Sequence, residues 1–369
     1  MLNELKLQNF KCFEDESFPL RALTMLTGLN STGKSTVLQA MLLLRQSHED
    51  RILESIGLTL DGPLVQLGTA RDVLYEGAKE ESIGFALRWD DGTHAAFVFG
   101  YDQAADVLTF LSNKIEGKFT DQSLFTDRFH YLEAERIGPR SAFEMSELDV
   151  HRHRQLGTSG EYTAHFMALF GSELTVSTAM RHPNANSLSL RDQVEAWMSE
   201  ISPGLRLHFN AHRSMDLVNL GISFTATGIV STNEYRPANV GFGITYTLPI
   251  VVSLLASGKE DLVFLENPEA HLHPRAQSKM GELIARACSS GVQVIFETHS
   301  DHVLNGVRIA IKADVLKAND ATVLFFDRDK AGDRLKTQVT ALLIDPNGRI
   351  ANWPSGFFDE FEKSIERLM

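Results

Sequence analysis

Gly28-Leu29-Asn30-Ser31-Thr32-Gly33-Lys34-Ser35 decides how this chain is read. The segment fits the pattern G-x-x-x-x-G-K-[ST] at every fixed position. Residues 23–27 are a short apolar run that predicts a strand before it, and Val37, Leu38, Met41 and Leu42 recur at helical spacing after it. A strand that turns through glycines into a helix leaves the first helical N–H groups unpaired and aimed into the loop. Glycines let the backbone curl until these amides converge, and the helix N-terminus adds positive potential, so the loop attracts a phosphate. Lys34 adds a point charge, and the Ser35 hydroxyl is placed to ligate a divalent cation.

The rest of the chain sets bounds on this reading. Its 369 residues suit one large domain or two lobes. A composition of 43% apolar and 22% charged residues has ample material for a core and excludes disorder of the whole chain. The two cysteines, Cys12 and Cys288, exclude a disulfide scaffold and fit a reducing compartment. The N-terminus alternates polar and apolar residues over 3–9, as a strand does and a signal peptide does not. No apolar run reaches the roughly 18 residues that a membrane helix needs. The longest, 244–256, is interrupted by Thr245, Thr247, Pro249 and Ser253. The expectation is a cytoplasmic protein. Its net charge of −13 opposes a general nucleic-acid coat, though a local basic groove, a nucleotide or a protein partner stays open.

Pattern changes divide the chain. Residues 55–135 carry short alternating runs such as 82–89 and 95–99 around the turn Asp90-Asp91-Gly92, which predicts an antiparallel sheet closed by 129–134. A helix is expected from the glycines at 157–160 through Phe170, and another over 190–201 capped by Ser189. Strands return over 206–225. Gly241 to Gly243 precede an apolar helix that Pro249 should kink or shorten. From Asp261 the order is strand, helix, strand, helix, strand (262–265, 274–287, 292–297, 300–312, 322–326), the alternation of a parallel α/β sheet. Runs 335–344 and 349–352 flank the turn Asp345-Pro346-Asn347-Gly348, and Phe357, Phe361, Ile365 and Leu368 make one stripe of a terminal helix. The resulting partition is 1–140, an N-terminal lobe with the phosphate loop and antiparallel sheet; 141–235, an inserted helical and strand lobe; 236–330, a C-terminal lobe; and 331–369, a short hairpin-helix domain.

A second set of chemistry-bearing residues lies in the 236–330 segment. The strand Leu262-Val263-Phe264-Leu265 ends in Glu266, and a buried strand tipped with an acid is how phosphate-loop proteins hold a Mg²⁺ shell. Asn267, Pro268 and Glu269 follow. His299 comes directly after the apolar run 292–296, inside Glu297-Thr298-His299-Ser300-Asp301, placed to sense or polarise a terminal phosphate. His271 and His273 are spaced i, i+2 without a third ligand nearby, which reads as a loop rather than a metal site. His-Arg-His-Arg at 151–154 reads as a solvated face.

More than half the chain separates Lys34 from Glu266. Compact kinases and small GTPases do not separate these motifs so far; ABC-type ATPase heads do, because a lobe is inserted between them. The chain resembles the ABC-type ATPases of the RecF, SMC and OLD group. The stretches that carry the likeness are 5–13 (Leu-Lys-Leu-Gln-Asn-Phe-Lys-Cys-Phe), 27–36, 266–274 (Glu-Asn-Pro-Glu-Ala-His-Leu-His-Pro) and 297–301. Trp353-Pro354-Ser355-Gly356-Phe357-Phe358-Asp359 is similar to a motif of prokaryotic stand-alone ATPases that end in a short domain of unknown function. The likeness is weakest over 141–235. It implies an α/β fold: a P-loop NTPase of ABC-type head architecture, with a mixed and parallel sheet core, an antiparallel β lobe and an inserted helical lobe.

The resemblance also implies roles. Gly28, Asn30, Ser31, Thr32, Gly33, Lys34, Ser35 and Thr36 bind the phosphates of ATP, and Ser35 and Glu266 hold Mg²⁺. His299 takes the switch position. Gly241, Phe242 and Gly243 stand where the group keeps its signature loop, which caps the γ-phosphate of an opposite subunit in an ATP-held head-to-tail homodimer. The usual Ser-Gly-Gly is absent, so that contact would rest on backbone amides. The lobe-coupling glutamine is either Gln66 or replaced by a residue of 133–140. The position after Glu266 normally carries a second acid that polarises the attacking water; here it is Asn267. A carboxamide orients water but does not usefully accept its proton, and loss of a positioned base costs roughly 10²–10⁴-fold. Glu269 either substitutes as base or is a loop acid. Slow hydrolysis is therefore expected.

Three functions follow as expectations. The first is an ATP-gated switch governing a separate effector protein, in prokaryotic phage defence by the OLD likeness. OLD-type relatives carry a nuclease domain; the stretch after His299 is short for one, and the pair Asp327 and Asp329 reads as a strand-end turn rather than a nuclease metal site. The phenylalanines of the tail would either dock the effector or pack on the chain's own sheet. The second is a DNA-handling ATPase, which the balanced charges of 128–154 do not favour. The third is a nucleotide-binding scaffold that hydrolyses almost nothing. A transporter's ATPase subunit fits less well.

Overall fold

The computed structural model describes residues 1–225, 231–331 and 334–369; the side chains of 329–335 and of Glu362 lie outside that description. The chain opens with β1 (Leu2–Phe10), β2 (Phe13–Pro19), β3 (Leu23–Gly28), α1 (Lys34–Glu49), β4 (Gly57–Thr59), α2 (Ala70–Val73), β5 (Ser82–Trp89), β6 (His94–Gly100) and β7 (Val107–Glu116). It continues through β8 (Phe129–Leu132), β9 (Ala142–Glu144), α3 (Thr163–Phe170), α4 (Leu190–Ser199), β10 (Leu205–His212), β11 (Leu217–Phe224), α5 (Phe242–Ala256) and β12 (Leu262–Glu266). It closes with α6 (Pro274–Ser289), β13 (Gln293–Glu297), α7 (Asp301–Lys312), β14 (Ala321–Ala331), β15 (Arg334–Leu342) and α8 (Glu360–Leu368).

Two units result. The first comprises Met1–Arg128, Asn319–Asp345 and Ile350–Met369. Its larger sheet is antiparallel in the order β2-β1-β5-β6-β7-β4. Alternation in the sequence sends Leu5, Leu7, Phe85, Leu87, Phe97 and Phe99 into the core. β3 instead is buried along almost its whole length, as its unbroken apolar run requires. β14 runs parallel to it, with Leu324 opposite Leu26 and Phe326 opposite Gly28, and β15 pairs antiparallel on the far side of β14. This mixed pairing sets the last residue of β3 against the Phe326 backbone, immediately before the phosphate loop.

The second unit comprises Phe129–Ala318 and Pro346–Arg349. β12 pairs in parallel with β13 and with β8. Glu266 stands opposite Glu297, so both strands end in a carboxylate at one level. Helices α6 and α7 pack closely because Gly281 and Gly306 face the partner helix's backbone. A Cβ on Gly306 would sit 2.0 Å from the Ser278 carbonyl oxygen. A second sheet, β10-β11-β9, is antiparallel.

Four expectations change. The run at 129–134 does not close the antiparallel sheet: it is β8, parallel to β12, and Phe129 packs edge-on against Phe264 at 4.9 Å. Apolar alternation marks a strand but does not choose its partner. The glycines at 157–160 form a turn, with φ of 81° at Gly157 and 76° at Gly160, and α3 begins only at Thr163. Of the two outcomes expected of Pro249, a kink or a shortened helix, shortening does not occur, since α5 runs on to Ala256. The terminal stripe also splits. Phe357 precedes α8 and is buried against Phe325 and Trp353, while Phe361 and Leu368 are exposed. Among the described residues, no helix is long and apolar enough to cross a membrane.

Candidate functional site

The loop of the first unit is shaped by what surrounds it. Gly28 has φ 138°, and a Cβ there would lie 2.0 Å from the Phe326 carbonyl oxygen. Gly33 has φ 98°, and a Cβ there would lie 2.4 Å from Cys12 Sγ and 2.9 Å from Phe13 Cζ. Strand β14 and the β1–β2 turn thus close on the two ends of the loop, and only glycine fits at either place. Between them Ser31 is left-handed at φ 61°, and the Thr32 hydroxyl donates to the Leu29 carbonyl at 2.7 Å. Lys34 is 3% exposed; its ammonium donates to the Leu29 carbonyl at 2.7 Å and the Gly28 carbonyl at 3.1 Å. Arg328 donates to the Ser31 carbonyl.

Helix α1 starts from Gly33 with no side-chain cap and no acid in its first turn. Helices α4, α6 and α7 are capped by Ser189, His273 and Ser300. An uncapped, sixteen-residue helix keeps its N-terminal amides and positive potential for an anion. Asn30 is exposed, Thr36 is buried, and Ser35 is half-buried. This donor set suits a phosphate chain with a hard cation at the hydroxyl. Gln66 lies exposed in the loop between β4 and α2.

In the second unit, Glu266 ends β12 with both oxygens engaged. Oε1 accepts from the Tyr131 hydroxyl at 2.9 Å and Oε2 from the Ala134 amide at 3.3 Å. Burial holds its carboxyl above the ordinary carboxylate range, with the Glu297 charge acting in the same direction and these hydrogen bonds opposing. Burial, reinforced by Glu266, pushes the Tyr131 phenol up, so it remains a donor. Asn267 is left-handed at φ 45°; its amide donates to the Glu297 carbonyl at 2.9 Å. Its Oδ1 is buried and has no partner among the described residues.

Glu269 bridges to the next strand end. Its Oε2 accepts from the Thr298 hydroxyl at 2.6 Å and its Oε1 from the His299 amide at 2.8 Å. It fastens the 266–273 loop to the His299 loop. The His299 ring is 41% exposed, with Nε2 3.9 Å from Glu297 Oε1. Helix α5 opens from Gly241 (φ 94°) and, like α1, has neither a side-chain cap nor an acid in its first turn. Phe242 is exposed, and a Cβ on Gly243 would be 2.8 Å from the His271 carbonyl oxygen. The helix therefore lies against the loop that follows Glu266.

Sequence reasoning did not find two residues here. Tyr131 reads only as part of an apolar run. Arg136, inside the 133–140 segment but not singled out, is 2% exposed and donates to four backbone carbonyls. The histidines at 271 and 273 have structural partners. His273 caps α6, accepting from the Arg275 amide, and His271 packs on Tyr246 with ring centroids 4.5 Å apart. Among the described residues, no group of three or more His, Cys, Asp or Glu gathers to hold a metal. In the 151–154 stretch, exposed Arg154 lies 3.7 Å over the Phe170 ring, so part of that face is stacked rather than merely solvated. Asp327 is half-buried on β14, and the Asp329 side chain lies outside the described residues.

Residues 1–125 match a family model described as "AAA ATPase domain", and 189–305 match "AAA domain, putative AbiEii toxin, Type IV TA system". Residues 316–368 match "Protein of unknown function (DUF3696)". An OLD nuclease of Thermus scotoductus is 22% identical over 329 residues, covering 81% of this chain and 59% of the relative. The Old nuclease of Escherichia phage P2 is 36% identical over 62 residues, 17% of this chain and 11% of the relative. The chain thus spans about three-fifths of the length of the first relative and a small part of the second. Among solved structures, an SmcHead bound to the C-winged helix domain of ScpA aligns with TM-score 0.55 and 14% identity, over 93% of this chain and 98% of the other. That likeness is one of fold.

Proposed function

We propose that this chain, a P-loop ATPase of the RecF, SMC and OLD type, is an ATP-gated switch that closes as a head-to-tail homodimer on ATP, hydrolyses it slowly and governs a separate effector protein. The observation that carries the reading is the 28–36 loop: an uncapped α1 N-terminus with Lys34 buried beneath it and glycines where only glycine fits. In this reading Gly28, Asn30, Ser31, Thr32, Gly33, Lys34 and Thr36 take the phosphates, and Ser35 and Glu266 hold Mg²⁺. The metal would neutralise charge developing on the phosphate oxygens. His299 senses the terminal phosphate, and the 241–243 turn heading α5 offers its amides to the nucleotide of a second copy.

Slow turnover rests on Asn267. Its carboxamide can orient water but takes no proton, and both oxygens of Glu269 are already committed to the His299 loop. These bonds favour a positioning role for Glu269 over that of the base. A cytoplasmic role in prokaryotic phage defence belongs to the same proposal and leans on the OLD likeness alone.

The test is steady-state ATP turnover with Mg²⁺, with and without duplex DNA, against Lys34→Ala as the blank. Slow turnover indifferent to DNA supports the switch. A several-fold, salt-sensitive rise with DNA replaces it with a DNA-handling ATPase. Turnover no higher than the blank leaves a nucleotide-binding scaffold.

A further inference from the structure

Arg136 is among the largest fully buried side chains among the described residues, and its hydrogen bonds run to backbone carbonyls. Its Nε donates to the Tyr246 carbonyl at 2.9 Å. Its Nη1 donates to the Glu133 carbonyl at 2.8 Å and the Glu266 carbonyl at 2.6 Å, and its Nη2 to the Asn267 carbonyl at 2.8 Å. Four bonds thus join three stretches of chain: its own loop, the end of β12 and the second turn of α5. Burial lowers the guanidinium to about 10, with Glu269, Glu266 and Glu133 opposing, so it is a cation at neutral pH. Taking a cation out of water costs several kcal/mol, and an apolar side chain of similar volume would fill the same space more cheaply. A fork of fixed geometry does what packing does not: it sets the orientation of each peptide that it holds.

Both ends of the fork are places where backbone orientation matters. At one end is the peptide that carries Asn267, left-handed, with its buried Oδ1 lacking a partner among the described residues. At the other is α5, where Pro249 has no N–H for the Thr245 carbonyl. One rung of that helix is missing beside the residue that Arg136 grips. Tyr246 also touches the loop through His271, but ring contact slides where a hydrogen-bonded fork does not.

We infer that Arg136 is a positioning residue that ties the helix headed by 241–243 to the Asn267 peptide, so that whatever docks on the α5 N-terminus sets the aim of the hydrolytic edge. This rests on the reading of β12's end as that edge.

Arg136→Lys keeps the charge and loses the fork. The expected result is a folded protein with a lowered melting temperature, since buried carbonyls lose their donor, an ATP-analogue affinity within about two-fold of wild type, KM unchanged and kcat down about 10²-fold, the usual effect of misplacing a group without removing it. Wild-type kcat in Arg136→Lys overturns the inference, and so does a fall in kcat that only tracks lost affinity. A second arm does not need turnover. Pro249→Ala restores the missing N–H of α5, and deuterium uptake is followed at the Asn267 and Ala270 amides of the nucleotide-free chain. Pro249→Ala is expected to change that uptake in the wild-type background and not in Arg136→Lys. Uptake unmoved in the wild-type background overturns the coupling, as does an equal change in both backgrounds. Absence of wild-type turnover above the Lys34→Ala blank counts against the proposed hydrolysis and leaves this exchange result standing.

Discussion

Asn267→Asp tests whether a missing base limits the rate. The substitution exchanges one amide nitrogen for oxygen and leaves the shape unchanged. The backbone accepts it, because Asn267 sits at φ 45°, a conformation that asparagine and aspartate tolerate better than other side chains. The electrostatics resist it. Oδ1 is already buried with no partner among the described residues, and the peptide lies between Glu266 and Glu297, whose carboxylates repel a new charge. An unpartnered group there costs about 1–3 kcal/mol of stability while neutral, and more once ionised. In a chain of this size that is a fall of a few degrees in melting temperature. The same surroundings hold the new carboxyl above its usual range, which brings a base closer to the working pH. A positioned base is worth roughly 10²–10⁴-fold, about 3–5 kcal/mol of barrier. Expected, then, is a slightly less stable protein whose ATP turnover rises at least about a hundredfold and increases with pH as the carboxyl ionises. The assay is phosphate release against the Lys34→Ala blank at several pH values, with melting curves on the same samples. A folded Asn267→Asp protein that binds an ATP analogue as wild type does, yet turns over no faster, would refute the reasoning.

Gly28→Ala forces a Cβ to within 2.0 Å of the Phe326 carbonyl oxygen at a φ of 138°, so β14 must separate from the loop. A loss of about 2–4 kcal/mol in urea unfolding is expected, together with loss of nucleotide binding, on the scale of strained backbone and overpacking. Glu266→Gln reads the raised carboxyl. Because its folded pKa lies above the unfolded one, the group's contribution is fully present below the unfolded carboxylate range and is lost as pH rises through the folded value. Melting at pH 8 should therefore favour Glu266→Gln over wild type, and the difference should close as pH falls to about 4; a difference constant with pH would remove burial as the cause. Glu269→Gln keeps one acceptor for the Thr298 hydroxyl and the His299 amide where there were two. It should cost about 1–2 kcal/mol and lower turnover less than tenfold without moving the pH profile; a new pH dependence would make Glu269 the base after all.

Local chemistry was legible where a short segment fixes its own geometry. The phosphate loop needs only glycines, a lysine and a strand-to-helix context, all contained in residues 23–42. Strand β5 falls where alternation puts it, and Ser189 caps α4 as its place before an apolar helix predicts. What failed was partnership. The 129–134 strand was recognisable, but its parallel pairing with β12 depends on a neighbour more than a hundred residues away. The stripe ending in Phe361 and Leu368 looked continuous with Phe357. Only the folded chain separates a buried ring on Phe325 from exposed ones on α8.

The amino-acid sequence by itself determined that a phosphate loop stands between a strand and a helix, that a carboxylate ends a later buried strand, and that an asparagine follows it. These are statements about neighbours along the chain, and chain connectivity enforces them. Tertiary structure alone decided that Glu269 spends both oxygens on the His299 loop, that Tyr131 meets Glu266, and that Arg136 joins α5 to the Asn267 peptide. Each of these is a hydrogen bond between groups distant in sequence. Its existence depends on distances of about 3 Å that only the packed core can set, because hydrogen bonding is short-ranged and directional while sequence pattern carries only periodicity.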